Sequence, residues 1–267
     1  MLRARTWRWS IDMRRIDKLP ALAADLVRRR VAVIVTGGLA PTRAAKAATT
    51  TIPIVFFTGT DPVALGLVAS LNRPGANLTG STILSSELGP KRLQLLRELL
   101  PSAAVFGVLA DPAPSNIQSD ITDLQAAARM LGLQLIVVNA RTESDFEPAF
   151  ATFSQQRVGA VLIGTSALFS RRLEQLAALA ARHALPAIFP YSEYAQAGGL
   201  MSYGSSLGYA YHQVGIYTGR ILRGEKPANM PVEQAVRIEL TLNLETAKAL
   251  GIEFPTGLLV RADRVIE

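Results

Sequence analysis

Hydroxyl, glycine and carboxylate residues directly follow two short apolar runs of the sequence, where they could contact a small polar ligand. The run "IPIVFF" leads at once into Thr58-Gly59-Thr60-Asp61, and "VAVIV" leads into Thr36-Gly37-Gly38. Hydroxyls and backbone N–H groups in such positions suit a carboxylate or another anion. An aspartate there accepts hydrogen bonds from an ammonium group. These residues therefore predict reversible binding of a small polar molecule.

The same pattern recurs three times further along the chain. Asp111 follows "AVFGVLA", Thr165-Ser166 follow "GAVLIG", and Tyr191-Ser192-Glu193-Tyr194 follow "LPAIFP". In open parallel sheets, ligands bind beyond the carboxyl ends of the strands, where loops and helix N-termini converge. Tyrosines in this region, including Tyr203, can stack on a ring or close over an apolar body. Together, these polar residues predict a ligand site at one edge of the sheets more strongly than any one of them does alone.

Each of these residues also has a purely structural interpretation, and the sequence leaves both open. Thr and Gly after a strand are ordinary turn residues. Asp61-Pro62 has the form of a helix start, so Asp61 is as well suited to capping "DPVALGLVASL" as to holding a ligand. Asp111-Pro112 has the same ambiguity. Glu193 fits a solvated loop position as well as a site.

Catalytic patterns are weak by comparison. His183 and His212 are the two histidines, and neither stands in a Ser/His/Asp arrangement. The chain has no GxSxG, GxGxxG or GxxxxGK[ST] motif. With no cysteine it has no thiolate nucleophile, disulfide or cysteine-ligated metal. We expect no catalysis, no metal and no cofactor.

Composition and charge bound the class of protein. The 267 residues are 49% hydrophobic and 18% charged, which is enough to bury a substantial core. The net charge of +7 is concentrated in the first 30 residues, which hold nine Lys or Arg and three Asp. A basic front end can touch nucleic acid, but no nucleic-acid recognition motif accompanies it, so we expect no nucleic-acid partner. The start also lacks the apolar stretch of a secretory signal, which predicts a cytoplasmic chain as written.

Short β-branched runs alternate with Ala- and Leu-rich amphipathic segments along the whole chain. Predicted strands include "VAVIVTGG", "IPIVFFTG", "AVFGVLADP", "LQLIVVNA" and "GGLMSYG", and predicted helices include "LPALAADLVRRR", "GPKRLQLLRELLP", "SNIQSDITDLQAAARMLG" (capped by Ser115) and "LGYAYHQVGIYTGRILRG". Alternation at this spacing is typical of parallel βαβ units with helices on both sheet faces. The prediction is an α/β fold with two doubly wound lobes.

From about Leu19 to Glu267 the sequence resembles the substrate-binding proteins of ABC transporters in the TrpX-like family. The likeness is carried by "LPALAADLVRRRVAVIVTGG", "IPIVFFTGTDPVALGLVASLNRPGANLTG", "KRLQLLRELLP", "LPAIFPYSEYAQAGGLMSYG" and "GRILRGEKPANMPVEQAVRIELTLNLETAKALGI". The resemblance implies a type I periplasmic-binding-protein fold, in which two Rossmann-like lobes close on a small ligand by a hinge. It also implies an exported, periplasmic protein that delivers an amino acid or related carboxylate to a membrane permease.

Read onto this chain, the resemblance assigns residues 1–86 and 198–231 to the first lobe and residues 87–197 and 232–267 to the second. The expected cleft lining consists of residues near the carboxyl ends of the strands: Thr36, Gly37, Gly38, Thr58, Gly59, Thr60, Asp61, Asp111, Thr165, Ser166, Tyr191, Glu193, Ser202 and Tyr203.

The front of the sequence departs from the family pattern. Relatives carry a signal peptide, a strand, a loop and a long helix before "LPALAADLV", where this sequence has "MLRARTWRWSIDMRRIDK". The expectation is a first lobe without its usual central strand, and hence with an exposed strand edge. Either the sequence is a truncated form, or a partner such as a second copy in a homodimer completes the lobe.

Three functions follow in order of preference. The first is a solute-binding component of an ABC importer for a small carboxylate-bearing molecule, with an aromatic amino acid as one option. The second is a cytoplasmic ligand-sensing domain of the same fold. The third is an α/β enzyme.

Overall fold

The computed structural model describes residues 18–83, 88–113, 117–234 and 238–267. Within these ranges, strands and helices alternate along the chain. The helices are Leu19–Arg28 (α1), Leu39–Ala48 (α2), Gly89–Leu99 (α3), Ile117–Met130 (α4), Phe146–Gln155 (α5), Ala167–Ser170 (α6), Leu173–Arg182 (α7), Ser192–Gln196 (α8), Leu207–Leu222 (α9), Leu244–Ala249 (α10) and Thr256–Arg261 (α11). The predicted cap Ser115 lies outside the described residues.

Two sheets organise the fold. The first has four parallel strands in the order β1-β2-β3-β9: Ile34–Gly37 (β1), Ile54–Thr58 (β2), Leu78–Thr82 (β3) and Glu233–Gln234 (β9). In the part of the chain that the structure describes, β1 pairs with β2 alone and forms one edge of this sheet.

The second sheet has seven strands in the order β11-β10-β8-β7-β6-β4-β5. Its strands are Val105–Ala110 (β4), Gln134–Asn139 (β5), Ala160–Ile163 (β6), Ala187–Phe189 (β7), Met201–Gly204 (β8), Glu239–Asn243 (β10) and Arg264–Ile266 (β11). All neighbours are parallel except β8 and β10. The predicted α/β fold with two parallel-sheet lobes is confirmed.

Apolar side chains on both faces of each sheet form the core, as expected for parallel strands covered on two sides. One continuous cluster contains Val55 and Phe57 of the first sheet together with Ile163 and Phe189 of the second. Smaller clusters fill the opposite face of each sheet. Because the largest cluster runs through both sheets, the two lobes share buried surface rather than hanging from a free linker.

The chain passes from one sheet to the other three times. It does so between β3 and α3, between β8 and α9, and between β9 and β10. Helix α9 packs on β2 and β3, although the strand directly before it belongs to the second sheet. These passages place the carboxyl ends of β3 and β8 where the lobes meet.

Two features differ from the sequence-based expectation. "DPVALGLVASL" forms consecutive turns instead of a helix, and Gly66 has the positive φ of 64° that ends the first of them. The division of the chain also differs, since β8, expected in the first lobe, pairs in the seven-stranded sheet. Conversely, β9, expected in the second lobe, pairs with β3. Runs this short give no periodicity from which a sheet can be assigned.

Gly80 marks a close backbone approach inside the first sheet. A methyl group at this position would lie 1.9 Å from the carbonyl oxygen of Phe56. We therefore expect Gly80→Ala to lower the free energy of unfolding by at least about 3 kcal/mol, because neither backbone can move without breaking the strand ladder. Urea denaturation followed by circular dichroism measures the effect.

Gly219→Ala is the matched control for this substitution. Gly219 lies inside α9 with no atom within 4 Å of an added methyl group. Alanine there should stabilise the protein by about 0.5–1 kcal/mol, since alanine is the better helix former. Equal stability of the two variants would contradict the packing described for β2 and β3.

Candidate functional site

The carboxyl end of β1 is closed by hydrogen bonds between side chains and the start of α2. Thr36 is buried, and its Oγ1 lies 2.9 Å from Oγ1 of Thr42, which donates to the Gly38 carbonyl at 2.7 Å. Gly38 has φ 90° and donates its N–H to the carbonyl of Phe57. Only glycine adopts that conformation without strain. Thr36 therefore stabilises the turn, while Gly37 and Gly38 remain partly exposed at the sheet edge.

The loop after β2 is held by its own hydroxyls. Oγ1 of Thr58 lies 3.0 Å from Oγ1 of Thr60, and Thr82 donates to the carbonyl oxygens of Thr58 and Thr60. Asp61 is exposed, and its Oδ1 accepts the N–H of Val63 at 2.8 Å. One carboxylate oxygen of Asp61 thus orders the turn, while the residue as a whole stays exposed.

Two candidates of the second sheet meet directly. The Ser166 hydroxyl donates to Asp111 Oδ2 at 2.5 Å and accepts the N–H of Leu168, so that Ser166 caps α6. Asp111 Oδ1 accepts the N–H of Ala113 at 2.9 Å. Beside this pair, Oγ1 of Thr165 is buried with no hydrogen-bond partner among the described residues. The carboxyl ends of β4 and β6 are therefore joined by a charge-assisted hydrogen bond.

The tyrosines after β7 form a stack. Tyr194 lies between Phe189, at 4.8 Å between ring centroids, and Tyr191, at 6.5 Å, with planes within 18° of parallel. Tyr191 is only 3% exposed. Burial raises the pKa of the Tyr194 hydroxyl, which stays neutral. Tyr191 is thus a packing residue with almost no surface left for a ligand to contact.

Ser202 and Tyr203 lie in β8. Ser202 is fully buried inside the sheet, in register with Phe189 of β7 and Thr241 of β10. Tyr203 is partly exposed near the end of the strand. Of these two predicted residues, only Tyr203 has accessible surface, and its side chain packs against the apolar cluster confined to the second lobe.

Glu193 joins the two lobes. It stands in the first turn of α8, and its Oε1 accepts a hydrogen bond from the Ser206 hydroxyl at 2.7 Å and from the Gly208 N–H at 2.9 Å. Ser206 is the N-cap of α9, so the carboxylate satisfies a free backbone donor at that helix start. A negative charge is favoured at a helix N-terminus. Glu193 is therefore occupied by an inter-lobe contact that its sequence position gave no reason to expect.

Arg92 is the one cation among the buried polar residues of the described chain. No sequence motif pointed to it. It lies in the first turn of α3, and its Nε donates to the carbonyl oxygen of Tyr203 at 2.8 Å. Its Nη2 has no hydrogen-bond partner among the described residues. Burial lowers the pKa of the guanidinium to about 10, so it remains charged at neutral pH. One signal in the sequence could have indicated its burial: Arg92 is four residues before Leu96 and so lies on the apolar face of the predicted helix.

The hydrogen-bonded candidates thus form two separate groups, one in each lobe. In the first lobe, Thr36 bonds to Thr42, and Thr58 bonds to Thr60. In the second lobe, Ser166 bonds to Asp111. The ligand-binding role of each residue stays a prediction. Within the described ranges, no group of three or more His, Asp or Glu side chains is arranged to hold a metal ion. Within the same ranges, no helix is long and apolar enough to cross a membrane.

We expect Glu193→Ala to lower the free energy of unfolding by about 1.5–3 kcal/mol, since two hydrogen bonds to a charged acceptor are lost. Glu193→Gln keeps an acceptor oxygen, so its free energy of unfolding should lie between those of the parent and of Glu193→Ala. Urea denaturation is again the measurement. Glu174→Ala, which removes an exposed carboxylate from the first turn of α7, is the control and should cost less than about 1 kcal/mol. If Glu193→Ala were as stable as the parent, Glu193 would have no stabilising role between the lobes.

The chain is similar to a curated protein and to solved structures from several bacteria. It is 27% identical over 215 residues to the tyrosine-binding protein of Clostridioides difficile strain R20291; the match spans 79% of this chain but only 60% of that relative. A conserved domain protein from Vibrio cholerae superposes with a TM-score of 0.82 at 27% identity, covering 94% of this chain and 83% of that one.

A further neighbour establishes the fold independently. The ABC domain in complex with L-Trp from Streptococcus pneumonia superposes with a TM-score of 0.79 at 20% identity, covering 94% of this chain and 86% of that one. The family described as ABC transporter substrate binding protein matches residues 11–266. That match covers nearly every described element, including both parallel sheets and the three passages between them, so the chain belongs to the ABC transporter substrate binding protein family.

Proposed function

We propose that this chain is the solute-binding component of an ABC importer and captures a small carboxylate-bearing ligand between its two lobes. The observation that carries the proposal is the position of polar groups at the carboxyl ends of both sheets, where the chain passes between them. Asp61 and the Gly37-Gly38 turn lie at strand ends of the first sheet, and Asp111, Thr165 and Tyr203 lie at strand ends of the second. Ligands of open parallel sheets bind at such edges.

An aromatic amino acid is the ligand class that we propose. The curated relative at 27% identity is a tyrosine-binding protein. The exposed oxygen of Asp61 and the hydroxyl of Thr165 suit an ammonium or another polar group. Tyr203 offers an aromatic surface at the edge of the second sheet. Together these groups match a molecule with one charged end and one flat apolar end.

The proposal extends to partner and compartment. A binding protein of this family hands its ligand to a membrane permease, so we infer a permease partner, a periplasmic site of action and no catalysis. A homodimer that completes the edge at β1 stays a separate proposal. The alternative of a cytoplasmic sensing domain has no contact or charge in the described residues that favours it.

Thermal melting against L-tyrosine, L-tryptophan, L-leucine and benzoate is the first test. A ligand that binds only the native state stabilises it by about 2.7 kcal/mol at one hundred times its Kd. We expect L-tyrosine or L-tryptophan to raise Tm in a concentration-dependent way, and L-leucine to do so less. The D-enantiomers of the two aromatic amino acids serve as controls.

A cooperative melt that none of these compounds shifts would contradict the proposed ligand class. If benzoate alone raised Tm, the site would recognise a carboxylate but not an ammonium group.

Asp61→Asn tests the polar end of the site. The variant keeps the size of the side chain but loses the charge, and loss of a charge-assisted hydrogen bond costs about 1.5–3 kcal/mol. We expect affinity for the amino acid to fall roughly tenfold or more at unchanged Tm. Isothermal titration calorimetry measures it. Asp123→Asn, at an exposed position of α4, is the control.

Unchanged affinity in Asp61→Asn would remove Asp61 from the site. Substitution of Tyr191 by alanine is a poor companion test, because that ring is buried in a stack and its loss would destabilise the lobe.

A further inference from the structure

Tyr211 stands at the carboxyl end of the first sheet, at the edge that the proposed ligand would occupy. It lies just over one turn into α9, and its ring centroid is 5.7 Å from that of Phe57, with the planes at 52°. A methyl group added to Gly37 would lie 3.5 Å from the Tyr211 hydroxyl oxygen. Gly37 and Phe57 are neighbours in register at the ends of β1 and β2. Tyr211 is therefore fixed beside the Gly37-Gly38 turn.

The three tyrosines of α9 have different surroundings. Tyr217 is 5% exposed, and its hydroxyl donates to the carbonyl of Pro231. Tyr209 is 37% exposed, and its hydroxyl donates to Glu233 at 3.3 Å. Tyr211 is 54% exposed, the largest exposure of the three. An exposed tyrosine with one face packed on a sheet edge is a rigid surface, since only two side-chain torsions need to be fixed.

The rings of the second lobe are less suited to hold a ligand ring. Tyr194 and Phe189 are fully buried, and Tyr191 is stacked on Tyr194. Tyr203 is partly exposed, but its ring packs against the apolar cluster of the second lobe. Of these rings, Tyr211 has the most open surface, and it lies on the same edge as the glycine turn.

We propose that Tyr211 is a specificity-determining residue that contacts the flat side chain of an aromatic ligand, while the polar end of the ligand faces the loops after β2 and β6. The inference rests on the proposed function and adds to it the residue that separates aromatic from aliphatic ligands. Aromatic pairs prefer offset or tilted arrangements with centroids 4.5–7 Å apart, and such pairs add to the binding from apolar burial.

The test compares affinities of Tyr211→Ala, Tyr211→Phe and Tyr211→Leu for L-tryptophan and L-leucine by isothermal titration calorimetry. We expect Tyr211→Ala and Tyr211→Leu to weaken L-tryptophan binding on the order of tenfold. L-leucine binding should change less than about twofold in Tyr211→Leu, because that variant keeps the apolar bulk. Tyr211→Phe keeps the ring and should bind L-tryptophan like the parent. If Tyr211→Ala does not fold, the leucine variant carries the test.

Tyr209→Ala is the matched control, since it removes a partly exposed ring from the same helix at a position that faces Glu233. It should leave both affinities within about twofold. Equal weakening of L-tryptophan and L-leucine by the Tyr211 variants would overturn the inference, and so would unchanged L-tryptophan binding; both results leave the proposed function standing. A parent protein that binds no aromatic amino acid would overturn the proposed ligand class and this inference with it.

Discussion

The hydrogen bonds between Glu193 and the start of α9 connect the two lobes of the molecule beside the apolar cluster that they share. Helix α8 belongs to the seven-stranded sheet, whereas α9 covers the four-stranded one, so this carboxylate connects the two lobes at the point where the chain passes between them. The Gly208 N–H has no carbonyl to pair with inside the first turn of its helix. Glu193 supplies the acceptor, and the buried apolar residues of α9, including Val214 and Tyr217, hold the helix over β2 and β3.

Arg92 makes a second hydrogen bond beside the passage of the chain between β8 and α9. It lies in the first turn of α3, soon after the chain has left the first sheet, and its Nε donates to the carbonyl of Tyr203 just before the chain returns. A buried guanidinium is costly unless its hydrogen bonds are made. Glu193 and Arg92 therefore fix both ends of the segment from Tyr203 to Gly208, which includes the second passage.

Much of the fold could be predicted from the sequence, because parallel strands buried on both faces read as continuous apolar runs. The positions of Asp111 and Ser166 followed from the same rule, since both stand directly after such a run. The role of Glu193 could not be predicted, because its partners lie 13 and 15 residues away, across a strand and a passage between lobes.

Local rules failed where tertiary contacts compete with them. Asp61-Pro62 is a sound helix start, yet Gly66 takes a positive φ and the segment turns instead. Tyr211 and Tyr217 share the predicted helix "LGYAYHQVGIYTGRILRG", and no local pattern of the sequence separates an exposed tyrosine from a buried one there. The two residues are six apart, which places them on different sides of that helix, and only the structure shows that the side of Tyr211 faces the sheet edge.

The two edges of the proposed cleft are unequal in their readiness to bind. Asp111 and Ser166 already satisfy one another, and a ligand that pairs with either must replace a short charge-assisted hydrogen bond. Asp61 and Tyr211 on the first lobe are exposed, and a ligand can contact them without breaking any contact between side chains of the site. Binding energy that is not consumed in breaking internal bonds appears directly as affinity. On the proposed function, the first lobe therefore contributes most of the net affinity and, through Tyr211, the preference for aromatic over aliphatic ligands. The second lobe discriminates among ligands by their polar groups, because a ligand must replace the hydrogen bond between Asp111 and Ser166.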